Sequence, residues 1–162
     1  MNSNMIKMNL QYFGRKKNAL REHYIAEYTP GEETAPEEGE KWLPLAKFIS
    51  SIGDDTDEET DDTGFYDGDG TPETTVISVS GSYSPEGFYD PEDKAQALIA
   101  SKKYKIGDER KIWHKVVQTN GDTVVGRATL TDIVAGAGDA TEYEEFSCKI
   151  TFDTLPKTTP KG

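Results

Sequence analysis

The 162-residue sequence predicts a mainly β fold: an antiparallel β-sandwich flanked by one α-helix, with a long loop between the second and third strands and extended termini. Several short runs alternate apolar and polar residues, which is typical of half-buried antiparallel strands. Asn120-Gly121 separates two β-rich runs and is a strong hairpin signal. Of all the segments of the sequence, only residues 90–103 have the cap, the acidic first turn and the apolar stripe that are typical of a helix.

The first three strands are predicted in the N-terminal half. Residues 23–29 alternate and predict the first strand. Residues 41–51 are rich in apolar side chains, but Pro44 cannot donate to a β-ladder, so we expect an edge or interrupted strand. Residues 74–83 alternate again, with Ile77, Val79 and Tyr83 predicted inward and Ser82 outward. Residues 84–90 contain Pro and Gly and predict a turn.

The helix and three more strands are predicted in the C-terminal half. Asp90 is the expected helix cap, and Ala95, Leu98 and Ile99 form the apolar stripe. Residues 110–118, 123–135 and 144–154 predict the remaining strands. The last strand has four inward side chains at alternate positions: Phe146, Cys148, Ile150 and Phe152.

The long loop, residues 53–72, is acidic and nearly free of hydrophobic residues. Such a segment cannot bury enough apolar surface to offset the entropy of ordering, so we expect it to be mobile in the free subunit. Phe65 and Tyr66 are unusual in a solvated linker and indicate docking on a partner. The nine acids of the loop are Asp54, Asp55, Asp57, Glu58, Glu59, Asp61, Asp62, Asp67 and Asp69.

The net charge is −12, which argues against binding nucleic acid through its phosphates. The charge is uneven, because residues 31–73 hold fifteen acids and two bases, whereas residues 1–21 hold five bases and no acid. The pattern favours contact between copies of the chain, with a solvated tail and loop as the alternative. The five bases are Lys7, Arg15, Lys16, Lys17 and Arg21.

Catalysis, metals and cofactors are not predicted. Neither Gly64 nor Gly70 lies in a frame that ends in the glutamate of an EF-hand loop. His23 and His114 lack ligands at metal-binding spacing, and Cys148 lies in mid-strand, where a thiol is inert. The single cysteine allows no internal disulfide, and no apolar run is long enough to span a membrane. We therefore expect no enzyme.

The sequence divides into an N-terminal arm (1–21), a single domain (22–156) that contains the acidic loop (53–72), and a C-terminal tail (157–162). Four stretches resemble a major tail tube protein of siphophages that infect Gram-positive bacteria: WLPLAKFISS, DDTGFYDGDGTPETTV, YDPEDKAQALIASKKYKIGDERKIWHKVV and VVGRATLTDIVAGAGDATEYEEFSCKITFDTLPK. The opening MNLQYFG, from Met8, is similar to the start of many phage structural proteins. The resemblance covers about residues 22–156.

This resemblance implies a structural virion protein, made in the bacterial cytoplasm, that assembles into stacked hexameric rings. Inner strands of six subunits would close around an electronegative channel through which DNA slides without specific binding. The long loop is characteristically mobile before assembly, and the arm and tail would link rings. The implied partners are the protein itself and the tape measure, terminator and distal tail proteins.

We hypothesise that acids and aromatics of the loop meet bases of a neighbouring subunit. The candidate inter-subunit residues are Asp54, Asp57, Asp61, Phe65, Tyr66, Asp67, Asp69, Arg15, Lys16 and Lys17. Lys102, Lys103 and Lys105 are further bases that could meet the acids. The alternative is a head decoration or tail-terminator protein, an oligomeric binding module that does not polymerise.

Overall fold

The computed structural model of the protein describes residues 14–39 and 41–162; Lys7 and the opening from Met8 lie outside the described residues. This part has one α-helix, α1 (Lys94–Ser101), and 3-10 turns at Asn18–Leu20 and Gly107–Arg110. Its ten strands are β1 (Glu22–Glu27), β2 (Leu43–Pro44), β3 (Ile49–Asp54), β4 (Asp57–Thr63), β5 (Glu73–Ser80), β6 (Ser82–Phe88), β7 (Lys111–Val117), β8 (Thr123–Ala135), β9 (Glu145–Phe152) and β10 (Lys157–Thr159).

Eight of these strands form one curled antiparallel sheet in the order β2-β1-β7-β8-β9-β6-β3, with β10 paired to the start of β8. Strands β4 and β5 form a separate two-stranded sheet. Helix α1 packs against β1, β2 and β8. The predicted mainly β fold with one helix is confirmed. The buried core shared by the sheet and the helix contains Ile25, Leu45, Ala95, Ile99, Ile112, Ala128, Leu130, Ile133, Phe146, Cys148, Ile150 and Phe152.

The C-terminal strands follow the sequence pattern closely. Strand β8 has the predicted bounds, and the four predicted inward side chains of β9 are all buried. The Asn-Gly hairpin is confirmed: Gln118 N donates to Asp122 O at 2.7 Å, and Gly121 has φ +94°, which glycine adopts without strain. The interruption of the second predicted strand is also confirmed, since Pro44 ends β2 and β3 begins at Ile49.

The predicted start of the helix is wrong by one turn. Asp93, not Asp90, is the cap, and its carboxylate accepts a hydrogen bond from Gln96 N at 3.2 Å. Asp90 instead accepts from Glu92 N at 3.0 Å and pairs with Lys47 at 2.7 Å. The buried Gln96 side chain explains the shift, because it binds the Asp90 backbone N–H and two backbone carbonyls outside the helix.

The turn predicted over residues 84–90 is also wrong, because β6 runs through most of it and pairs with both β3 and β9. Pro85 is fully buried within this strand. Gly87 is required by a close approach rather than by a turn, since a Cβ there would lie 2.0 Å from the Phe48 carbonyl oxygen. Ser82, predicted to face outward, is buried.

A second, smaller cluster lies around Tyr28, Trp42 and Trp113, which the structure buries together with Ala26. Both indole N–H groups are satisfied: Trp42 donates to Pro36 O and Trp113 donates to a carboxylate oxygen of Glu32, each at 3.2 Å. The segment between β1 and β2 is therefore fixed to the body of the protein by aromatic packing and by the hydrogen bond from Trp113 to Glu32, and the Trp42–Pro36 bond closes the segment on itself.

The two histidines form a buried pair that the sequence did not predict. His23 Nδ1 lies 3.2 Å from His114 Nε2, and His114 stacks on Phe152 with ring centroids 5.3 Å apart. Burial lowers the pKa of His114 to about 3, with the nearby His23 adding to the effect. Burial also lowers the pKa of His23 to about 4, with the Arg21 charge adding to it. Both rings are therefore neutral at pH 7.

Acidification should destabilise the subunit through this pair. Both folded-state pKa values lie below the ordinary 6.5, so the unfolded chain binds protons first. The contribution of the pair to the free energy of unfolding is complete above pH 6.5 and is lost as the pH falls towards about 4. Within this range we expect the free energy of unfolding to fall by about 1.4 kcal/mol for each titrating histidine and each pH unit of acidification. Chemical denaturation between pH 7 and 5 measures it; His114→Gln should have a shallower slope, and equal slopes would contradict the assignment.

Phe152→Ala should lower the unfolding free energy by about 3–5 kcal/mol, because a buried ring leaves a cavity. The matched control is Tyr104→Ala, at a side chain that is 89% exposed, which should change stability by no more than about 0.5 kcal/mol. Urea denaturation midpoints of the two variants test the core assignment, and similar midpoints would show that it is wrong.

Candidate functional site

The most prominent surface feature is a long hairpin that projects from the main sheet. Its base is β3 paired with β6. Its outer part is β4 paired with β5, from Asp57 opposite Ser80 to Thr63 opposite Glu73, with a shift of register between Glu59 and Thr60. At the junction, Asp55 N donates to Ser82 O at 2.9 Å. We call residues 57–80 the outer hairpin. Its seven-residue β4 strand is about 23 Å long.

The outer hairpin lies where the sequence predicted an irregular loop. The long connection between the second and third predicted strands is present, but the predicted absence of regular structure is wrong. Residues 57–63 form a strand because β5, which is rich in Thr, Ser, Val and Ile, pairs with them along their whole length, with one shift of register. Short local bonds fix the ends: Asp54 accepts from Thr56 N at 3.0 Å, and Asp69 accepts from Thr71 N at 2.8 Å. Mobility in the free subunit stays a prediction.

The outer hairpin is exposed along its whole length, since every residue of β4 and β5 is exposed. Val76, Ile77 and Val79 therefore face solvent, which corrects the predicted inward orientation of Ile77 and Val79. At the tip, Phe65 is 66% exposed and Tyr66 is fully exposed. A lone two-stranded hairpin is at best marginally stable in water. This arrangement suits a surface that another chain covers.

The hairpin is strongly electronegative. Residues 54–80 contain ten acids and no base. Bonds from the Thr71 side chain and backbone hold the pKa of the Asp69 carboxyl below its ordinary value, so this tip acid is ionised. The candidate acids Asp54, Asp57, Asp61 and Asp67 are all exposed. No ion pair of the described residues joins the hairpin to a base.

The candidate bases lie at the same end of the sheet as the hairpin. Arg15, Lys16 and Lys17 are exposed, and Lys16 Nζ donates to Thr119 O at 3.0 Å in the β7–β8 turn. Arg21 Nε donates to the side chain of Gln118 in the same turn at 2.8 Å. Within one subunit the structure does not bring these bases into contact with the acids.

The structure corrects two further expectations, one about the lysines that follow helix α1 and one about the C-terminal tail. Lys102 is buried and donates to Glu109 O at 3.0 Å, so it is not available to meet acids of another chain. Lys105 is exposed and Lys103 is half-buried. Part of the predicted C-terminal tail is strand, since β10 pairs with residues 123–125 of β8.

The described residues were also compared with the requirements of a metal site, a reactive thiol and a membrane-spanning helix. None of their His, Cys, Asp and Glu side chains form a group of three or more that could hold a metal ion. Burial raises the pKa of the Cys148 thiol to about 12, so it is protonated at neutral pH. None of the helices in this part of the chain has the length and apolar character needed to cross a membrane.

No protein-family model matches the chain, and the comparison with curated proteins also found no match. Solved structures do match. The virion of a native gene transfer agent aligns with a TM-score of 0.64 at 13% identity, over 90% of this chain and 99% of that one. The tail of an empty gene transfer agent particle with C6 symmetry aligns with a TM-score of 0.63 at 14% identity, over the same shares.

The SPP1 tail tube aligns with a TM-score of 0.53 at 14% identity, over 87% of this chain and 78% of that chain. All three alignments cover 87% or more of this chain. At these identities the likeness concerns the backbone rather than side chains. The chain therefore has the fold of the SPP1 tail tube protein and of the gene transfer agent tail.

Proposed function

We propose that the protein is a structural subunit of a phage tail tube and assembles with itself into stacked hexameric rings. The observation that carries this proposal is the fold shared with the SPP1 tail tube and with a gene transfer agent tail of C6 symmetry. A structural rather than a catalytic role also fits the buried, neutral state of both histidines and of Cys148.

The outer hairpin is the principal contact between copies in this proposal. Its strands and tip expose apolar side chains, which does not stabilise a monomer. Among the described residues its acids form no ion pair within the subunit. A neighbouring copy supplies exposed bases at Arg15, Lys16 and Lys17. Contacts between unlike surfaces produce rings or open stacks, as a tube requires.

The tube would enclose DNA without binding it specifically. The chain carries 30 acids and 18 bases, so a channel built from it repels phosphates unless bases cluster at its wall. The proposed location is the virion, after synthesis in the bacterial cytoplasm. The proposed further partners are the tape measure, terminator and distal tail proteins, which would meet the two ends of the stack.

Negative-stain electron microscopy of concentrated protein tests the proposal directly. Tubes or stacked rings are the expected result. Discrete small oligomers at every concentration would instead favour the head decoration or tail-terminator alternative.

Deleting residues 57–80 should abolish tube formation and leave the subunit folded. The deletion joins Thr56 to Gly81 and leaves a two-residue turn between Asp55 and Ser82, which already share a backbone hydrogen bond. Because the outer hairpin buries nothing in the core, we expect a nearly unchanged thermal midpoint.

Electron microscopy and circular dichroism of the deletion variant measure the two outcomes. The matched control keeps the hairpin strands and changes only the tip, as Phe65→Ser with Tyr66→Ser, which separates the tip from the strands. Tubes of normal appearance from the deletion variant would show that the outer hairpin has no part in assembly.

Assembled tubes should not bind double-stranded DNA measurably at about 150 mM salt, because counterion release needs clustered bases. Fluorescence anisotropy of labelled DNA over a salt series measures this. Submicromolar binding that weakens steeply with salt would contradict the proposed slippery channel and would place the basic arm against nucleic acid.

A further inference from the structure

Four rings cluster where the outer hairpin leaves the main sheet. His23 of β1 and His114 of β7 stack with their centroids 5.4 Å apart. Tyr83 of β6 meets both rings edge-on, with centroid distances of 5.1 Å to His23 and 5.5 Å to His114. Phe152 of β9 stacks on His114. This ring cluster therefore joins four strands of the main sheet at one point.

Two members of the ring cluster also hold the base of the outer hairpin. Tyr83 lies opposite Asp54, the last residue of β3. Phe152 N donates to Gly81 O at 2.8 Å, and a Cβ at Gly81 would lie 3.1 Å from the Phe152 ring. Gly81 is the single residue between β5 and β6. The outer hairpin is thus attached to the body of the protein through rings that contact the histidines.

Residues 54–56 and 81–83, which we call the hairpin root, are paired with β9 over a short stretch only. Strand β6 pairs with β9 at Ser82 and Tyr83 and again from Glu86. The proline between these two stretches cannot donate to the ladder. A short paired stretch that is separated from its neighbours in this way can open while the rest of the ladder stays intact.

The two imidazoles fit this position only as uncharged rings. One hydrogen bond joins them, between His23 Nδ1 and His114 Nε2 at 3.2 Å, and His114 Nδ1 is buried without a partner among the described residues. A proton added to His114 would leave a charged ring with an N–H that has no acceptor. A proton added to His23 would lie near the like charge of Arg21. Exposure of the rings to water removes both costs.

The other titratable groups around the pair do not offset these costs. Tyr83 faces the pair from β6, and burial together with the charge of Asp54 raises the pKa of its hydroxyl, so this side chain is neutral at pH 7. Strand β9 presents the uncharged ring of Phe152. The carboxylate of Glu22, which neighbours the pair on β1, accepts a hydrogen bond from the hydroxyl of Tyr24 at 3.0 Å.

Solvent reaches the pair from one side. A surface cavity of about 540 Å³ is lined by His23, by Arg21 and by residues 49–52 of β3. His114 is completely buried behind His23 and Tyr83. Protons therefore have access to His23 in the closed cluster, whereas His114 binds them only when the cluster opens.

We propose that the histidine pair is a pH-sensitive switch for the outer hairpin: protonation of the imidazoles in mildly acidic solution opens the ring cluster and releases the hairpin root while the core stays folded. In the open form both rings contact water and titrate at the ordinary pKa of 6.5, so this form binds more protons and acid favours it. The consequence for assembly rests on the proposed function, in which the outer hairpin is the principal contact between copies.

Amide hydrogen exchange followed by NMR tests the switch in the full chain, below the concentration at which it assembles. The root reporters are Asp55 N–H, bonded to Ser82 O, and Phe152 N–H, bonded to Gly81 O. The reference is the set of most protected amides of the β8–β9 ladder, which exchange by global unfolding. We expect lower protection factors at the root than in the reference set. Between pH 7.5 and pH 5.5 the root values should fall about 100-fold, because both histidines become exposed.

Two results of this measurement would overturn the switch. Root protection factors that do not change with pH would show that the root opens while the histidines stay covered. Root amides as strongly protected as the reference set would show that the root opens only by global unfolding. Both comparisons are made within the unmodified chain.

His23→Gln and His114→Gln are matched variants, because glutamine is uncharged at both pH values and can hydrogen-bond to the remaining histidine. Each should reduce the fall in root protection to about tenfold, since one titrating ring is left. All carboxylates of the outer hairpin are kept in these variants. A fall as large as in the unmodified chain would therefore assign the pH dependence to the carboxylates and overturn the switch.

Electron microscopy at pH 7.5 and pH 5.5 separates this inference from the proposed function. The unmodified chain should form fewer tubes at pH 5.5, and His114→Gln should lose fewer of them. Equal numbers of tubes at the two pH values would overturn the control of assembly by the switch and leave the tube assignment standing. Absence of tubes at both pH values would count against the proposed function, and hydrogen exchange in the free subunit would still decide the switch.

Discussion

The backbone pairing of strand β8 is the interaction on which the rest of the structure depends. Its thirteen residues pair with β7 on one side and with β9 and β10 on the other. Because all these pairings are antiparallel, chain ends and turns must alternate between the two ends of the sheet. The N-terminal arm, the β7–β8 turn, β10 and the outer hairpin consequently all lie at one end. A single topological constraint thus brings together the elements that we propose contact another copy.

An acidic side chain in the body of the protein is paired with bases, whereas within the described residues the acidic side chains of the outer hairpin are not. Burial raises the pKa of Asp153, but bonds from Lys111, Thr129 and Arg127 outweigh it and lower the pKa. Lys111 lies 2.6 Å and Arg127 2.7 Å from the Asp153 carboxylate, so this acid is neutralised within the subunit. The ten acids of residues 54–80 form no ion pair with any Lys or Arg in the part of the chain that the structure describes. Water and salt screen their mutual repulsion in the exposed hairpin, and in the proposed assembly bases of another copy would relieve it.

Where the sequence pattern was regular, it was a sufficient guide to the structure. The alternation of Phe146, Cys148, Ile150 and Phe152 sufficed to predict β9. Asn120-Gly121 sufficed to predict the β7–β8 hairpin, because each of these signals is local. Pro85 and Gly87 misled the prediction, since their conformations are compatible with a turn and with an irregular strand alike. The close approach of Phe48, distant in sequence, selected the strand. The outer hairpin was missed because its acidic strand has no apolar face, and only the partner strand β5 defines it.

The candidate contact residues also divide into those that the sequence predicted and those whose surroundings only the tertiary structure decided. Composition alone identified the acidic tract, the exposed aromatics Phe65 and Tyr66 and the basic arm, because charge and solvent exposure of long polar segments hardly depend on the fold. Only the tertiary structure joined His23 to His114, two residues apart in register on neighbouring strands, and buried Lys102. Pairing and burial are set by segments far apart in the chain, so no local pattern contains them.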